Sequence, residues 1–553
     1  MQRIALLSVY NKNGIVEFAK DLIGQNFKIY ASGGTAKILL ENQVEVSDVA
    51  DLIGGGAILG HRVVTLSREI YAGLLSRETE EDKAELEKLK IPRIDLVCVD
   101  LYPLEEEIKS ANSTQQTVLD KTDIGGPTLL RAAAKGRRIV ISDSVDRQRT
   151  IEWLKNGEPN SEEFLAGLAA KAEYVVANYA LISAKYHSKG KYDGIILSHT
   201  STLKYGENAW QVPASLMADE SARYSDELSL SKFKLLAGTS PSYNNWADVD
   251  RMLQTVTHIA AGFDVNFGKV PYLAVGVKHG NACGAAVSDY PSTAIEKMLE
   301  GDLRAIFGGL VMVNFEIDEK LAEVLLSHRM ENNQRRLLDG IVAPAFTQSA
   351  IETLKRKGDK CRFLANPALS MLSKNSLDTH PRFRYVRGGF LKQPNYNFVL
   401  DLHNPNDPNP AIQMPRNLPD AGLKTSSELS EFQKQDIVLA WAVGSTSNSN
   451  TVTIVKNGQL LGNGVGQQDR VGGCELAIKR AKDSHHDLEN ATAYSDSFFP
   501  FADGPLTLIK AGVKTIFATR GSVKDEEVKK VCLDNRVTFV TLPDSEARGF
   551  FGH

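Results

Sequence analysis

Two stretches of the chain carry residue types suited to acid–base and anion chemistry. Lys278-His279-Gly280-Asn281 follows the apolar run YLAVGV. A histidine, which titrates near neutrality, beside a lysine offers a proton shuttle and a positive charge. Neighbours on a regular strand face opposite ways, so the pair shares a site only if the backbone turns at the glycine; the alternative is a plain surface turn. Ser32-Gly33-Gly34-Thr35 stands between the strand-like FKIYA and a helical stretch. There, converging N–H groups at a helix start can hold an anion, and a tight strand-to-helix turn is the alternative. Lys12 directly follows the first apolar run, so Lys12, Ser32 to Thr35, Tyr102 and Thr65 could line one rim of a parallel sheet. Asp123 opens a Gly-Gly-Pro turn and Lys135 closes the helical TLLRAAAK, positions that suit a helix cap and a last-turn cation as readily as catalysis.

The elements that must position these residues are legible as periodic runs. Ile4 to Val9, Phe27 to Ala31, Ile94 to Leu101 and Arg138 to Ile141 read as strands alternating with helices at Gly14 to Ile23 and Ala36 to Leu40. That is the pattern of an α/β domain with a parallel sheet. A long helix is expected over Ser161 to Tyr186 and a domain boundary near residue 200. Further strands are expected near Tyr272 to Val277, Leu310 to Asn314, Gly340 to Ala343, Thr451 to Val455 and Lys514 to Ala518. Residues 401–420 hold five Pro and four Asn and read as a linker between subdomains 201–400 and 421–553. No internal repeat stands out.

Composition narrows the function classes. The 64 Lys+Arg against 68 Asp+Glu leave a formal charge of −4, with no basic excess for general nucleic-acid binding. The 5 Cys form no C-x-x-C pair, which speaks for a reducing compartment over a disulfide scaffold or zinc ribbon. No run of 18 apolar residues occurs, so a soluble cytoplasmic protein is expected. His485-His486-Asp487 is the remaining metal-like cluster, but it sits in a polar loop and no catalytic metal is expected.

In order and spacing, SVYNKNG (8–14), ASGGTAK (31–37), RVVTL (62–66), VDLYP (99–103) and DIGGPTLLRAAAK (123–135) resemble the IMP cyclohydrolase half of the bifunctional purine biosynthesis family. KYGENAWQ (204–211), SYNN (242–245), VKHGNACG (277–284), IFGG (306–309), DGIVAPAF (339–346), VRGGFL (386–391), SNTV (449–452), VGQQDR (465–470), SDSFFPFADG (495–504) and RGFFGH (548–553) resemble its aminoimidazole carboxamide ribotide (AICAR) transformylase half. The resemblance spans essentially the whole chain. It implies a methylglyoxal-synthase-like domain at 1–200, followed at 201–553 by two cytidine-deaminase-like α/β/α subdomains, in a homodimer.

The implied chemistry is formyl transfer from 10-formyl-tetrahydrofolate to AICAR, followed by dehydrative closure to IMP. By resemblance, Lys12, Ser32, Gly33, Gly34, Thr35, Arg62 and Thr65 hold nucleotide in the first half, while Tyr102, Asp123 and Lys135 assist ring closure. In the second half Lys278, His279 and Asn450 are implied as catalytic. Lys204, Tyr205, Gly308, Asp339 and Arg548 are implied to contact the ribotide, and Phe307, Phe498, Phe501 and Asp503 the folate. The chain departs from the family pattern where a lysine is usual at Val64, a histidine at Ser67, an asparagine at Asp100 and an arginine at Lys204. Two further readings are therefore a transformylase with a weakened or inactive cyclohydrolase domain and a non-catalytic nucleotide- or folate-binding regulator. Retention of Lys278, His279 and Asn450 weighs against the second.

Overall fold

A computed structural model describes residues 2–53, 55, 58–59, 63–219, 226–332, 334–402 and 429–552. Arg62 and all but the first two residues of the 401–420 linker lie outside the described residues. Contacts divide the chain into two compact units, Met1–Ile196 and Leu197–His553.

In the first unit five strands, β1 (Arg3–Val9), β2 (Phe27–Ala31), β3 (Ser47–Asp48), β4 (Leu96–Asp100) and β5 (Ile139–Ile141), form a sheet in the order β3-β2-β1-β4-β5. All neighbours run parallel. The connecting helices include α1 (Ile15–Gly24), α2 (Gly33–Glu41), α3 (Arg68–Leu75), α4 (Gly125–Lys135) and α5 (Ser161–His187). The run Leu96–Val99 is buried throughout, as a strand covered on both faces must be. Helix α2 begins three residues earlier than the apolar periodicity suggests, because the Ser32 carbonyl accepts the Thr35 and Ala36 N–H groups and draws both glycines into its first turn. Strand order reverses direction about β1, so the crevice beyond the carboxyl ends of β1 and β4 is where such sheets bind ligands.

The second unit is built on an 11-stranded mixed sheet. It contains β8 (Lys234–Ala237), the hairpin β9 (Tyr272–Lys278) and β10 (Asn281–Ser288), then β11 (Leu310–Val313), β12 (Gly340–Ala343) and β13 (Arg362–Ala365). It also contains a second hairpin, β16 (Val452–Lys456) and β17 (Gln459–Gly464), followed by β18 (Thr492–Ser495), β19 (Thr515–Arg520) and β20 (Thr538–Pro543). Two further hairpins, β6 (Leu197–Leu203) with β7 (Ala214–Asp219) and β14 (Arg382–Val386) with β15 (Gly389–Gln393), form separate two-stranded sheets.

The sheet bears out the pair of like subdomains that the family resemblance implies, although no internal repeat stands out in the sequence. Helix α6 (Tyr243–Phe267) precedes a hairpin followed by α7 (Pro291–Glu300), β11, α8 (Glu319–Ser327), β12, α9 (Gln348–Leu354) and β13. Helix α10 (Glu431–Gly444) precedes the other hairpin followed by α11 (Arg470–Asp483), β18, α12 (Asp503–Lys510), β19, α13 (Asp525–Asp534) and β20. The two halves join where β10 pairs antiparallel with β17, giving one continuous sheet across the two segments separated in the sequence reading. Helices α6 and α10 share one core on one face, whereas the other face carries a separate core for each half.

One trace of the repeat survives in sequence: the fourth residue of the second hairpin strand is glycine in both halves, Gly284 and Gly462. A Cβ at Gly284 would overlap the Met298 carbonyl oxygen, and one at Gly462 the Ala477 carbonyl oxygen. Both obstacles are helix backbone, which cannot rotate away. Gly284→Ala is therefore expected to destabilise the unit by about 1–3 kcal/mol or more in denaturant unfolding.

The shared core also holds an acid-sensitive residue. His258 is fully buried, its Nδ1–H donating to the Gln254 carbonyl at 2.7 Å, while Nε2 has no hydrogen-bond partner among the described residues. Burial pushes its pKa down to about 4 from 6.5. The unfolded chain thus takes up this proton before the folded one, and stability falls as pH drops from about 6.5 toward 4, by a total of about 3 kcal/mol. Comparing Tm at pH 7 and pH 5 should show a smaller loss for His258→Phe than for the wild type.

Candidate active sites

In the first unit the carboxyl-terminal rim collects most of the residues singled out from the sequence. Lys12 donates to the carbonyls of Val9 and, at 3.2 Å, Tyr10, and burial lowers its pKa with Asp100 opposing. Its Cε stands 3.9 Å from where a Cβ of Gly34 would lie, so the lysine rests against the Gly33-Gly34 turn. Ser32 is hydroxyl-bonded to Ser8 at 2.8 Å. The Thr35 hydroxyl is engaged with both backbone groups of Val9 at 3.2 Å, which ties the turn to β1. Thr65 is buried, its Oγ1 2.8 Å from where a Cβ of Gly125 would stand, which places it at the start of α4.

Asp123 is held there too. Its Oδ1 accepts the Gly126 N–H at 2.8 Å, and its own N–H meets the Tyr179 hydroxyl at 2.7 Å. Burial raises its pKa, the Gly126 and Tyr102 N–H groups oppose the rise, and the facing Asp100 adds to it. Tyr102 is exposed and stands edge-on to Tyr10 at 5.5 Å. Sequence reasoning missed Lys121, whose ammonium lies 5.1 Å from the Tyr10 ring centre and 5.9 Å from that of Tyr102. Its signal was available: a lysine two residues before Asp123 must share that residue's rim.

Two of the departures have local structural roles. Ser67 caps α3 by accepting the Ile70 N–H at 3.2 Å, and Asp100 accepts the Asn11 N–H at 2.6 Å. Lys135 is not brought to the rim. It ends the 11-residue α4, roughly 15 Å along the axis from the Asp123 end. The chain then enters β5, whose Ile139 pairs with Leu96 at the opposite edge of the sheet.

In the second unit the segment carrying Lys278 and His279 and the segment carrying Asn450 come from the two halves of the repeat. Lys278 ends β9 and donates to the Phe307 carbonyl at 3.0 Å, joining this turn to IFGG. Asp339 enters the same edge through its N–H to Gly309 at 3.0 Å, with one carboxylate oxygen 2.9 Å from Arg356. His279 follows in the left-handed region, φ 52°, and Gly280 and Gly308 also have positive φ. The chain does turn at the pair, so Lys278 and His279 are not opposed as they would be on a straight strand.

A cavity of about 690 Å³ is lined by Asn450, Arg470, Phe498, Phe501, Asp503, Arg548 and neighbours. Arg548 pairs with Asp544 at 2.6 Å and its guanidinium stands 5.8 Å from the Phe498 ring centre. Asn450 gives one amide hydrogen to the Gln467 carbonyl at 2.9 Å, which leaves its second donor and its oxygen for a ligand. The floor beside it is an ion pair of Arg470 with the fully buried Asp496, which also accepts the Thr451 N–H at 3.0 Å. Phe499 is buried in the core instead. The cavity and the Lys278-His279 turn are joined by the Asn448 N–H donating to Asn281 Oδ1 at 3.1 Å. Lys204 and Tyr205 leave β6 beside the start of α6, where Asn244 binds the Glu207 carbonyl at 3.2 Å. Asp248 and Arg251, on the next turns of α6, were not singled out from the sequence.

Among the described residues no group of three His, Cys, Asp or Glu is placed to hold a metal. His486 bonds the Glu300 carbonyl at 2.8 Å and Asp487 pairs with Lys456 at 2.8 Å.

These features define a two-unit α/β protein whose first unit, over residues 14–128, matches the MGS-like domain model. Residues 133–480 match the AICARFT/IMPCHase bienzyme model. The "Bifunctional purine biosynthesis protein PurH" of Persephonella marina is 32% identical over 551 residues, 98% of each chain. The protein of the same name from Anoxybacillus flavithermus is 34% identical over 538 residues, 95% of this chain and 96% of its own. A solved structure, "Crystal structure of ForH", is 33% identical and covers 34% of this chain and 99% of its own, with a TM-score of 0.31. The chain belongs to the AICARFT/IMPCHase bienzyme family and is a bifunctional enzyme of purine biosynthesis.

Proposed function

We propose that the second unit transfers a formyl group from 10-formyl-tetrahydrofolate to the amino group of AICAR, and that the first closes the product to IMP. The observation that carries this reading is the joining of the Lys278-His279 turn to a cavity that gathers Asn450, Phe498, Phe501, Asp503 and Arg548. The residues fit a reduced folate: two aromatic side chains and a carboxylate on one wall suit a flat, donor-rich pterin, which would supply the formyl carbon when bound. The AICAR amine is a weak nucleophile because its lone pair is delocalised, so the His279 imidazole takes its proton during attack. Lys278 and the spare Asn450 amide hydrogen offset negative charge on the formyl oxygen. Arg548, which lines the cavity, and Lys204 supply positive charge to the ribotide phosphate in this reading.

In the first unit Lys12 and the α2 N-terminus bind the phosphate. Asp123, with its pKa raised, removes a proton from the carboxamide nitrogen while Tyr102 and Lys121 face the departing oxygen. Since both reacting groups sit on one imidazole, proximity supplies several kcal/mol and leaves less for the missing lysine at Val64 to contribute. Formylation of so poor an amine is nearly balanced, and removal by ring closure pulls it forward, a reason to join both units in one chain.

We also place the protein in the cytoplasm as a homodimer. Among the described residues no helix is long and apolar enough to cross a membrane. The test is direct. Purified protein incubated with AICAR and 10-formyl-tetrahydrofolate should yield IMP, and absence of both formyl-AICAR and IMP would refute the reading.

A further inference from the structure

We propose that Arg251, with Asp248 one turn before it, is a positioning residue for formyl transfer. It locks the turn carrying His279 to the loop carrying Asn450 and to the C-terminal tail carrying Arg548. The inference rests on the reading that these three residues serve that reaction.

Asp248 and Arg251 are three apart on α6 and so project from one face of it. Asp248 Oδ1 accepts the Gly280 N–H at 2.7 Å, and Arg251 Nε donates to the Gly280 carbonyl at 2.9 Å. One helical turn therefore grips both backbone groups of the residue after His279. With both held, the following peptide cannot swivel, and the left-handed backbone of His279, which a histidine rarely adopts, is kept in place.

The remaining guanidinium nitrogens reach the other half of the repeat. Nη2 donates to the Thr446 carbonyl and to Asn448 Oδ1, both at 3.1 Å, and Nη1 donates to the Phe551 carbonyl. Asn448 in turn donates through Nδ2 to the Gly552 carbonyl at 3.0 Å, and the Phe551 N–H donates to the Ser447 carbonyl at 2.9 Å. The Phe551 ring is buried against two guanidinium groups, Arg251 at 4.5 Å and Arg382 at 3.6 Å from its centre. Three segments that are distant in sequence thus converge on one planar fork. An ammonium has neither the donors nor the plane to hold them all.

The test measures formyl transfer per mole of folded full-length protein, well below each variant's Tm, with ring closure as the internal control. Arg251→Lys is expected to lower kcat by about 30- to 100-fold, as a misplacement near 1 Å would, with KM for AICAR changed less than threefold and ring closure unchanged. A kcat within twofold of the wild type overturns the proposal. If Arg251→Lys does not fold, Phe551→Leu decides: it keeps an apolar side chain but removes the ring between the guanidinium groups. It should lower kcat about two- to fivefold, and a value equal to the wild type overturns the proposal. His279→Ala in the same series separates the two levels. If it is inactive while Arg251→Lys matches the wild type, the positioning role alone fails; if it too matches the wild type, the formyl-transfer reading fails.

Discussion

His279→Ala is expected to lower kcat for formyl transfer by about 10³-fold while ring closure by the same polypeptide is unchanged. The imidazole stands on the turn between β9 and β10, which is tied to the Asn450 loop through Asn281 and Asn448. The groups around it, Lys278 on the Phe307 carbonyl and Asn450 on that of Gln467, are fixed by their own backbone partners. Losing the ring therefore removes proton transfer but leaves the walls standing. KM for AICAR should move by less than about fivefold, since an interaction made only in the transition state appears in kcat. His279 is exposed and packs in no core, so Tm should not fall measurably. Steady-state kinetics with formyl-AICAR detection checks the first expectation, and cyclisation of supplied formyl-AICAR the second.

The mirror experiment concerns Asp123. Asp123→Asn should reduce ring closure by about 10²–10⁴-fold and leave formyl transfer intact. Asparagine keeps an oxygen to accept the Gly126 N–H, so the start of α4 is preserved while the base is lost. The wild-type pH profile carries the second half of the prediction. Burial, with Asp100 facing it, holds the Asp123 carboxyl above the ordinary aspartate range, so it protonates at a higher pH than usual. Ring closure should accordingly fall on acidification at a pH above the ordinary value of about 3.9, and Asp100→Asn should move that limb downward. A limb that survives unchanged in Asp123→Asn would show that another group takes the proton.

Specific residues show how far the primary sequence reaches. Parallel strands covered on both faces leave unbroken apolar runs such as Leu96–Val99, and glycine-rich turns stand where chain direction must change, so both rims were visible as motifs. Lys135 was legible as a last-turn cation but not as a residue on the wrong side. A helix that returns the chain to the next parallel strand carries its last residue to the far edge of the sheet. The duplication of the second unit was implied by the family resemblance but left no visible internal repeat, because a core requires only apolar side chains of suitable size. What recurs is the hairpin turn, with Gly280 and Gly458 both at positive φ, and the backbone approach four residues on at Gly284 and Gly462.

By itself the sequence determined the α/β class, the two glycine-bearing rims and the residue types able to move protons and hold anions, because these follow from local periodicity and side-chain chemistry. Only the tertiary structure decided which of those residues meet. It joined the His279 turn to the Asn450 cavity through Asn281, Asn448 and Arg251, and it put Lys121 beside Tyr102 while leaving Lys135 across the sheet. The reason is physical: strand order and hairpin pairing set distances between segments far apart in the chain, and neither is encoded in the pattern of any one segment.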